Sequence, residues 1–214
     1  MYKYIIILFF SILLSQDYPI LGSSGMLDIV SWNVEQYPKH SQTNSYLVEI
    51  IDQINVDVIA FQEITSLASF TSLISNLAGD WISYRSGGNS NYGELAYAIN
   101  LEQINVISVY NILNQDEYYF GYRAPYVLEF TLQGNNYVII NNHFKCCGND
   151  ILDLDDSSDE EYRRLIASQL LEAYIHDNYN LEKVIILGDL NDSISDNQLN
   201  NVFWGFIESD YFEF

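Results

Sequence analysis

Val184-Ile185-Ile186-Leu187-Gly188-Asp189-Leu190-Asn191-Asp192 is an apolar run that stops at a glycine and delivers polar side chains just past it. The apolar residues, bounded by Lys183 and Gly188, predict a strand covered on both faces, as in the middle of an α/β domain. Side chains two apart on an extended chain point the same way, so Asp189 and Asn191 are expected to reach into one cleft at the strand's carboxyl end. The same residues also suit an ordinary strand-to-loop turn, where Gly, Asp and Asn are common.

The pattern recurs upstream. Leu27-Asp28-Ile29-Val30-Ser31-Trp32-Asn33-Val34-Glu35 reads as a strand whose far end carries Asn33 and Glu35, again two apart. Asp57-Val58-Ile59-Ala60-Phe61-Gln62-Glu63 is another buried-type strand ending in a carboxylate, and Tyr137-Val138-Ile139-Ile140-Asn141-Asn142-His143 delivers a histidine. Between the first two, Tyr46, Leu47, Ile50, Ile51 and Ile54 recur at helical spacing from about Thr43. A second helix is expected from a Thr65/Ser66 cap through Leu67, Phe70, Leu73, Ile74 and Leu77 to Gly79. Short runs at Glu94–Leu101, Asn105–Tyr110, Tyr126–Leu132 and Tyr137–Asn142, separated by turn residues such as Gly87-Gly88-Asn89 and Gly134-Asn135-Asn136, predict a mostly antiparallel sheet. A third helix is expected from Tyr162 to about Asp177, with Leu165, Ile166, Leu170 and Ala173 inward. The acidic loop before it, Asp150 to Glu161, suits a helix's positive N-terminal end. A calcium loop is the alternative, although Asp153, Asp155, Asp156 and Asp159 do not follow EF-hand spacing. With no internal repeat and no linker, one domain is the economical reading.

Bulk properties narrow the function. The chain has 214 residues, enough for a sizeable core, and its 18 Tyr and 11 Phe favour sheet-rich packing. Against 29 Asp+Glu stand 8 Lys+Arg, a formal charge of -21. That balance argues against broad electrostatic adhesion to nucleic acid or anionic lipid, so a phosphate substrate would need a metal ion or a few placed arginines. Met1-Tyr2-Lys3-Tyr4 followed by an apolar run from Ile5 to Leu14 is too short for an ordinary membrane span and predicts a secretory signal over residues 1–16. A monomer without stable membrane association is expected. Export would permit disulfides, but the only cysteines are the neighbours Cys146 and Cys147, which can bridge only in a strained geometry; free thiols or partners outside this chain are the alternatives.

Taken in order, Trp32-Asn33-Val34-Glu35, Phe61-Gln62-Glu63, Arg123-Ala124-Pro125, Asn142-His143-Phe144-Lys145 and Gly188-Asp189-Leu190-Asn191 resemble the motifs of the endonuclease/exonuclease/phosphatase superfamily. The resemblance covers residues 24–214 and implies an α/β (α+β) four-layer sandwich: two mixed β-sheets face to face with flanking helices. It implies a divalent-metal-dependent phosphodiesterase, secreted if the signal reading holds, with nucleic acid as substrate and endonuclease action on DNA or RNA. A phospholipid of the sphingomyelinase kind, or a sugar phosphate, is the alternative substrate. Glu63 would be the main ligand of Mg²⁺ or Mn²⁺, with Ca²⁺ also possible, Asn33 would help place metal or phosphate, and Glu35 would belong to the same ligand group. By resemblance to the deoxyribonuclease branch, His143 would be a catalytic histidine oriented by Glu94. Arg123 would grip the scissile phosphate, and Asp189 and Asn191 would orient the attacking water. Each of these residues also has an ordinary use as a strand-end hydrogen-bonder or surface ion pair. The family's second histidine, typically in a Ser-Asp-His-like motif downstream of Gly-Asp-x-Asn, has no counterpart at His40 or His176. The last strands of the sandwich are therefore expected to be missing, the 214 residues being part of a longer reading frame. A truncated, inactive relative acting as a binding protein is the reading from a different class.

Overall fold

The computed structural model describes residues 18–23, 25–87, 93–179 and 183–214. The expected signal segment and most of the Gly87-Gly88-Asn89 turn lie outside them. Eight strands run β1 (Ile29–Tyr37), β2 (Val58–Ile64), β3 (Trp81–Arg85), β4 (Glu94–Asn100), β5 (Ile104–Asn111), β6 (Tyr126–Leu132), β7 (Asn135–His143) and β8 (Lys183–Asp189). Among the described residues four α-helices are interleaved, α1 (Thr43–Ile54), α2 (Leu67–Asn76), α3 (Glu160–Asn178) and α4 (Trp204–Glu208), with a single 3-10 turn at Asn114–Asp116. Among the described residues the strands form two four-stranded sheets, ordered β1-β2-β4-β3 and β5-β6-β7-β8. Both are mixed, because β1–β2 and β7–β8 are parallel while the other neighbours are antiparallel.

Strand periodicity builds the layers. In β2, Val58 and Ala60 face the second sheet and pack with Tyr97, Ile99, Leu128, Phe130 and Ile139 in the seam between the sheets. Ile59 and Phe61, on the opposite face, pack under α1 and α2 against Leu47, Ile51, Phe70 and Leu73. The outer face of the second sheet, with Val127, Val138 and Ile140, is covered by α3 and α4 through Ala167, Leu171, Ile175 and Phe206. The result is helix, sheet, sheet, helix, as expected. Each such side chain taken from water contributes roughly 1.5–3 kcal/mol before chain entropy is subtracted.

Local signals place the element ends. Ser66 caps α2 by accepting from Ser69 N–H at 3.2 Å, and Asp159 caps α3 by accepting from Tyr162 N–H at 2.8 Å. Three details differ from the sequence reading. Tyr46 and Leu67, at the outer margins of their apolar stripes, are exposed. The strand β3 and the short α4 carry too little periodicity to be distinguished from loop. On α3 the fully buried face is Glu161, Arg163, Arg164, Ala167, Ser168, Leu171 and Ile175; of the expected residues Leu165 and Leu170 pack partly buried at its margin, and Ala173 is exposed. Charged residues at positions 161 and 164 mask that stripe, since burial of a charge follows from partners contributed elsewhere in the chain. No helix among the described residues is long and apolar enough to cross a membrane.

Candidate active site

Parallel pairing brings the polar strand ends to one end of the sandwich. Asn33 sits opposite Gln62 across β1 and β2, and His143 opposite Asp189 across β7 and β8. Face-to-face packing then joins the two pairs. Asn33 Nδ2 donates to Glu63 Oε1 at 3.0 Å and to Asp189 Oδ2 at 2.7 Å, bridging carboxylates that come from different sheets. His143 Nε2 stands 3.9 Å from the same Glu63 oxygen and 3.7 Å from the same Asp189 oxygen. Asn33, Glu63, His143 and Asp189 thus form one cluster.

Backbone conformation aims these groups. Glu63, one residue before the end of β2, has φ 66°, and Asn191, two residues past β8, has φ 53°; both are left-handed values that break the strand alternation. At Gly188 (φ 139°) a side-chain Cβ would meet the Asn142 carbonyl oxygen at 2.0 Å, so only glycine lets β8 lie this close to β7 beside the site. Beneath the cluster a polar seam ties the sheets together: Gln62 Nε2 donates to Asn141 Oδ1 at 2.8 Å, and Asn141 Nδ2 donates to the Phe61 carbonyl at 2.9 Å.

His143 is buried, and its pKa is lowered from 6.5 to about 4 by loss of hydration and then by the Arg123 guanidinium, outweighing the raising effect of Asp189 and Glu63. The imidazole is therefore neutral at pH 7. Because Nε2 faces two acceptor-only carboxylates, the N–H proton belongs on Nε2; Nδ1 is buried with no hydrogen-bond partner among the described residues.

Several residues singled out in the sequence sit elsewhere or act differently. Glu35 does not join Glu63: β1 bulges between Asn33 and Tyr37, Glu35 and Gln36 take positive φ, and the Glu35 side chain lies exposed against Lys39. The backbone of this turn reaches the site, with Gln36 N–H donating to Glu63 Oε2 and Glu35 N–H donating to Asn33 Oδ1, each at 2.9 Å. Glu94 does not orient His143, because its carboxylate pairs with Arg85 at 2.7 Å. Asn191 does not share the direction of Asp189, since the strand ends between them; its Nδ2 donates to the Phe144 carbonyl at 3.2 Å. Arg123 is buried and donates to the carbonyls of His143 and Phe144, each at 3.3 Å, bracing the end of β7. The acidic loop folds on itself, with Asp153 accepting from Asp155 N–H at 2.9 Å and Asp156 from Ser158 N–H at 2.8 Å. Asp159, Glu160 and Glu161 gather oxygens within 4.8 Å of one another at the start of α3. The cysteines are free and exposed. Sequence reasoning missed the Gln62–Asn141 seam, whose signal was two amides inside otherwise apolar strands, and the buried Arg164 with its partner Asp192.

A hard divalent cation fits the donor set. Two carboxylate oxygens share a single amide donor, which leaves net negative charge on oxygen ligands of the kind Mg²⁺ and Mn²⁺ prefer.

Solved structures with this fold include the human Nocturnin catalytic domain with bound sulfate anion (TM-score 0.58, 15% identity, 86% of this chain and 70% of that one). D. rerio TDP2 complexed with single strand DNA product superposes with TM-score 0.57 at 16% identity over 78% of this chain, which spans 61% of that protein's length. SmcL gives 0.55 at 17% identity over 84% of this chain and 68% of its own. No curated protein sequence matches. The model of the endonuclease/exonuclease/phosphatase family matches residues 30–204, most of the chain, and the chain therefore belongs to that family.

Proposed function

We propose that this chain carries the catalytic centre of a secreted, divalent-metal-dependent phosphodiester hydrolase that cleaves nucleic acid as an endonuclease. The observation that carries the reading is the convergence of Asn33, Glu63, His143 and Asp189 from four strands into one cluster, in which Asn33 hydrogen-bonds both carboxylates and His143 Nε2 stands 3.9 and 3.7 Å from them. Family membership supports phosphoester chemistry in general. Secretion rests on the N-terminal sequence alone.

A cation held by Glu63, with Asp189 and Asn33 beside it, would supply positive charge to a phosphate oxygen as negative charge builds there. Asn33 fixes both carboxylates. Neutral His143 offers its Nε2 proton to a phosphate oxygen as a positioned hydrogen-bond donor; a histidine already neutral at pH 7 is a weak proton source. Asp189, the more exposed of the two carboxylates, accepts a proton from an attacking water. Arg123 holds the end of β7 so that His143 meets them.

One observation favours a second substrate. The Glu94–His143 pairing that pointed to the deoxyribonuclease branch is replaced by Glu94–Arg85, which leaves a phospholipid phosphodiester as the alternative. Supercoiled plasmid and sphingomyelin vesicles, assayed side by side with Mg²⁺ or Mn²⁺ and again in excess chelator, separate these readings. Metal-dependent nicking of the plasmid is the expected result, abolished by the chelator. Turnover that persists in chelator would sink the metal assignment, and hydrolysis of vesicles alone would move the substrate to phospholipid. No turnover of either by the full-length protein would leave the binding-protein reading.

A further inference from the structure

Arg164 is 1% exposed and is the largest fully buried side chain among the described residues. Its Nε donates to Asp192 Oδ2 at 2.6 Å. Its Nη1 donates to the carbonyls of Lys145 and Cys147 at 2.8 and 2.7 Å, and its Nη2 lies 3.3 Å from Glu161 Oε1. The partners fall in three places. Lys145 and Cys147 belong to the loop that leaves β7 just after His143, Asp192 belongs to the loop that leaves β8 just after Asp189, and Glu161 is on α3 beside Arg164 itself. Glu161 Oε1 also accepts from the N–H groups of Asn149 and Asp150, at 2.8 and 2.6 Å, which fastens the first loop further along.

The β7–β8 ladder ends at the pair His143 and Asp189, with one more bond from Phe144 N–H to the Asp189 carbonyl at 2.9 Å. Past that point the two chains separate. Asn191 ties one directly to the other, and Arg164 fixes both to α3. A planar guanidinium presents donors in several fixed directions at once, which a lysine ammonium on its flexible stem does not reproduce. The charge is buried at a cost that two carboxylates and two carbonyls offset only while all stay in place.

We propose that Arg164 is a positioning residue for phosphodiester hydrolysis: its guanidinium clamps the His143 loop and the Asp189 loop to α3 and so sets the separation of His143 from Asp189. The role of the clamp in turnover rests on the hydrolase reading above; the clamp as a mechanical tie does not.

Arg164→Ala leaves Glu161 and Asp192 buried without their cation and is the variant most prone to misfold. Arg164→Lys, which keeps the charge, and Asp192→Asn, which keeps the shape, are the informative ones. In the full-length protein each should lower kcat about 10–100-fold with KM within about twofold, the range seen when a group supporting a catalytic residue is lost. Amide hydrogen exchange should quicken in residues 144–149 and 190–193 together, while β1 and α1 keep their protection. Unchanged kcat at a temperature where the variants are folded, whatever their loss in Tm, would reduce Arg164 to a structural ion pair and overturn the proposal. So would faster exchange confined to α3. Wild-type protein inactive on every phosphodiester offered would remove the hydrolase reading instead, and the exchange pattern would then decide the clamp by itself.

Discussion

His143 shows how one buried side chain links site chemistry to stability. Its pKa in the folded protein is about 4, against 6.5 when solvated. Between those values the unfolded chain takes up a proton that the folded chain refuses. Stability is therefore fully present above about pH 6.5 and falls as pH drops toward 4, by on the order of 3 kcal/mol. The charged groups facing the ring are Arg123, Asp189 and Glu63. Denaturant unfolding of wild type and His143→Gln between pH 4 and 7, in chelator, measures this directly: the wild-type loss should be the steeper. Equal slopes would mean that the acid sensitivity comes from other groups. His143→Ala should also lower the hydrolysis rate about 10²–10³-fold, the usual cost of one positioned donor.

At the scale of the element, β8 depends on a missing Cβ. Gly188 lies against the Asn142 backbone at a φ of 139°, so Gly188→Ala must push β8 away from β7 or strain the turn. A loss of about 2 kcal/mol or more is expected, since both backbone strain and overpacking contribute. Because His143 pairs with Asp189 across the same two strands, the variant should lose activity along with stability. A Tm within a degree of wild type would show that the strands can separate at little cost. The polar residues at and beyond this glycine were legible in the sequence because the same pattern, a short apolar run closing in polar side chains, recurs at Asn33, Glu63 and His143; one such run alone also suits an ordinary turn. Their directions were not. Alternation holds only while φ and ψ stay extended, and the turns at Glu35 and Asn191 leave that region.

Across the molecule, the sheets are joined by a polar seam as well as by apolar packing. Tyr97 of β4 donates its hydroxyl to the Tyr126 carbonyl at 2.7 Å and lies 3.1 Å from the Ile139 carbonyl, and accepts from Asn141 N–H at 3.0 Å. Burial holds its pKa well above 10, so it stays a neutral donor. Tyr97→Phe would leave those groups unsatisfied in the interior at a cost of about 1–3 kcal/mol, read as a lowered denaturant midpoint with unchanged slope. A midpoint unchanged from wild type would mean that water or rearrangement replaces the seam. The net charge of -21 acts at the same scale, since a polyanionic substrate approaches against the general field and depends on the local cluster for its binding.

The sequence by itself determined the layers: strand and helix periodicities separate the seam between the sheets from the two faces beneath the helices, and the polar strand ends marked Asn33, Glu63, His143 and Asp189 as candidates without deciding which side chains meet. The tertiary structure alone decided which carboxylates share Asn33, that Glu94 turns to Arg85, and that α3 buries Arg164 more deeply than Leu165. The physical reason is that apolar burial follows a local period, whereas a buried charge is stable only beside partners far away in the chain, and no local pattern records them.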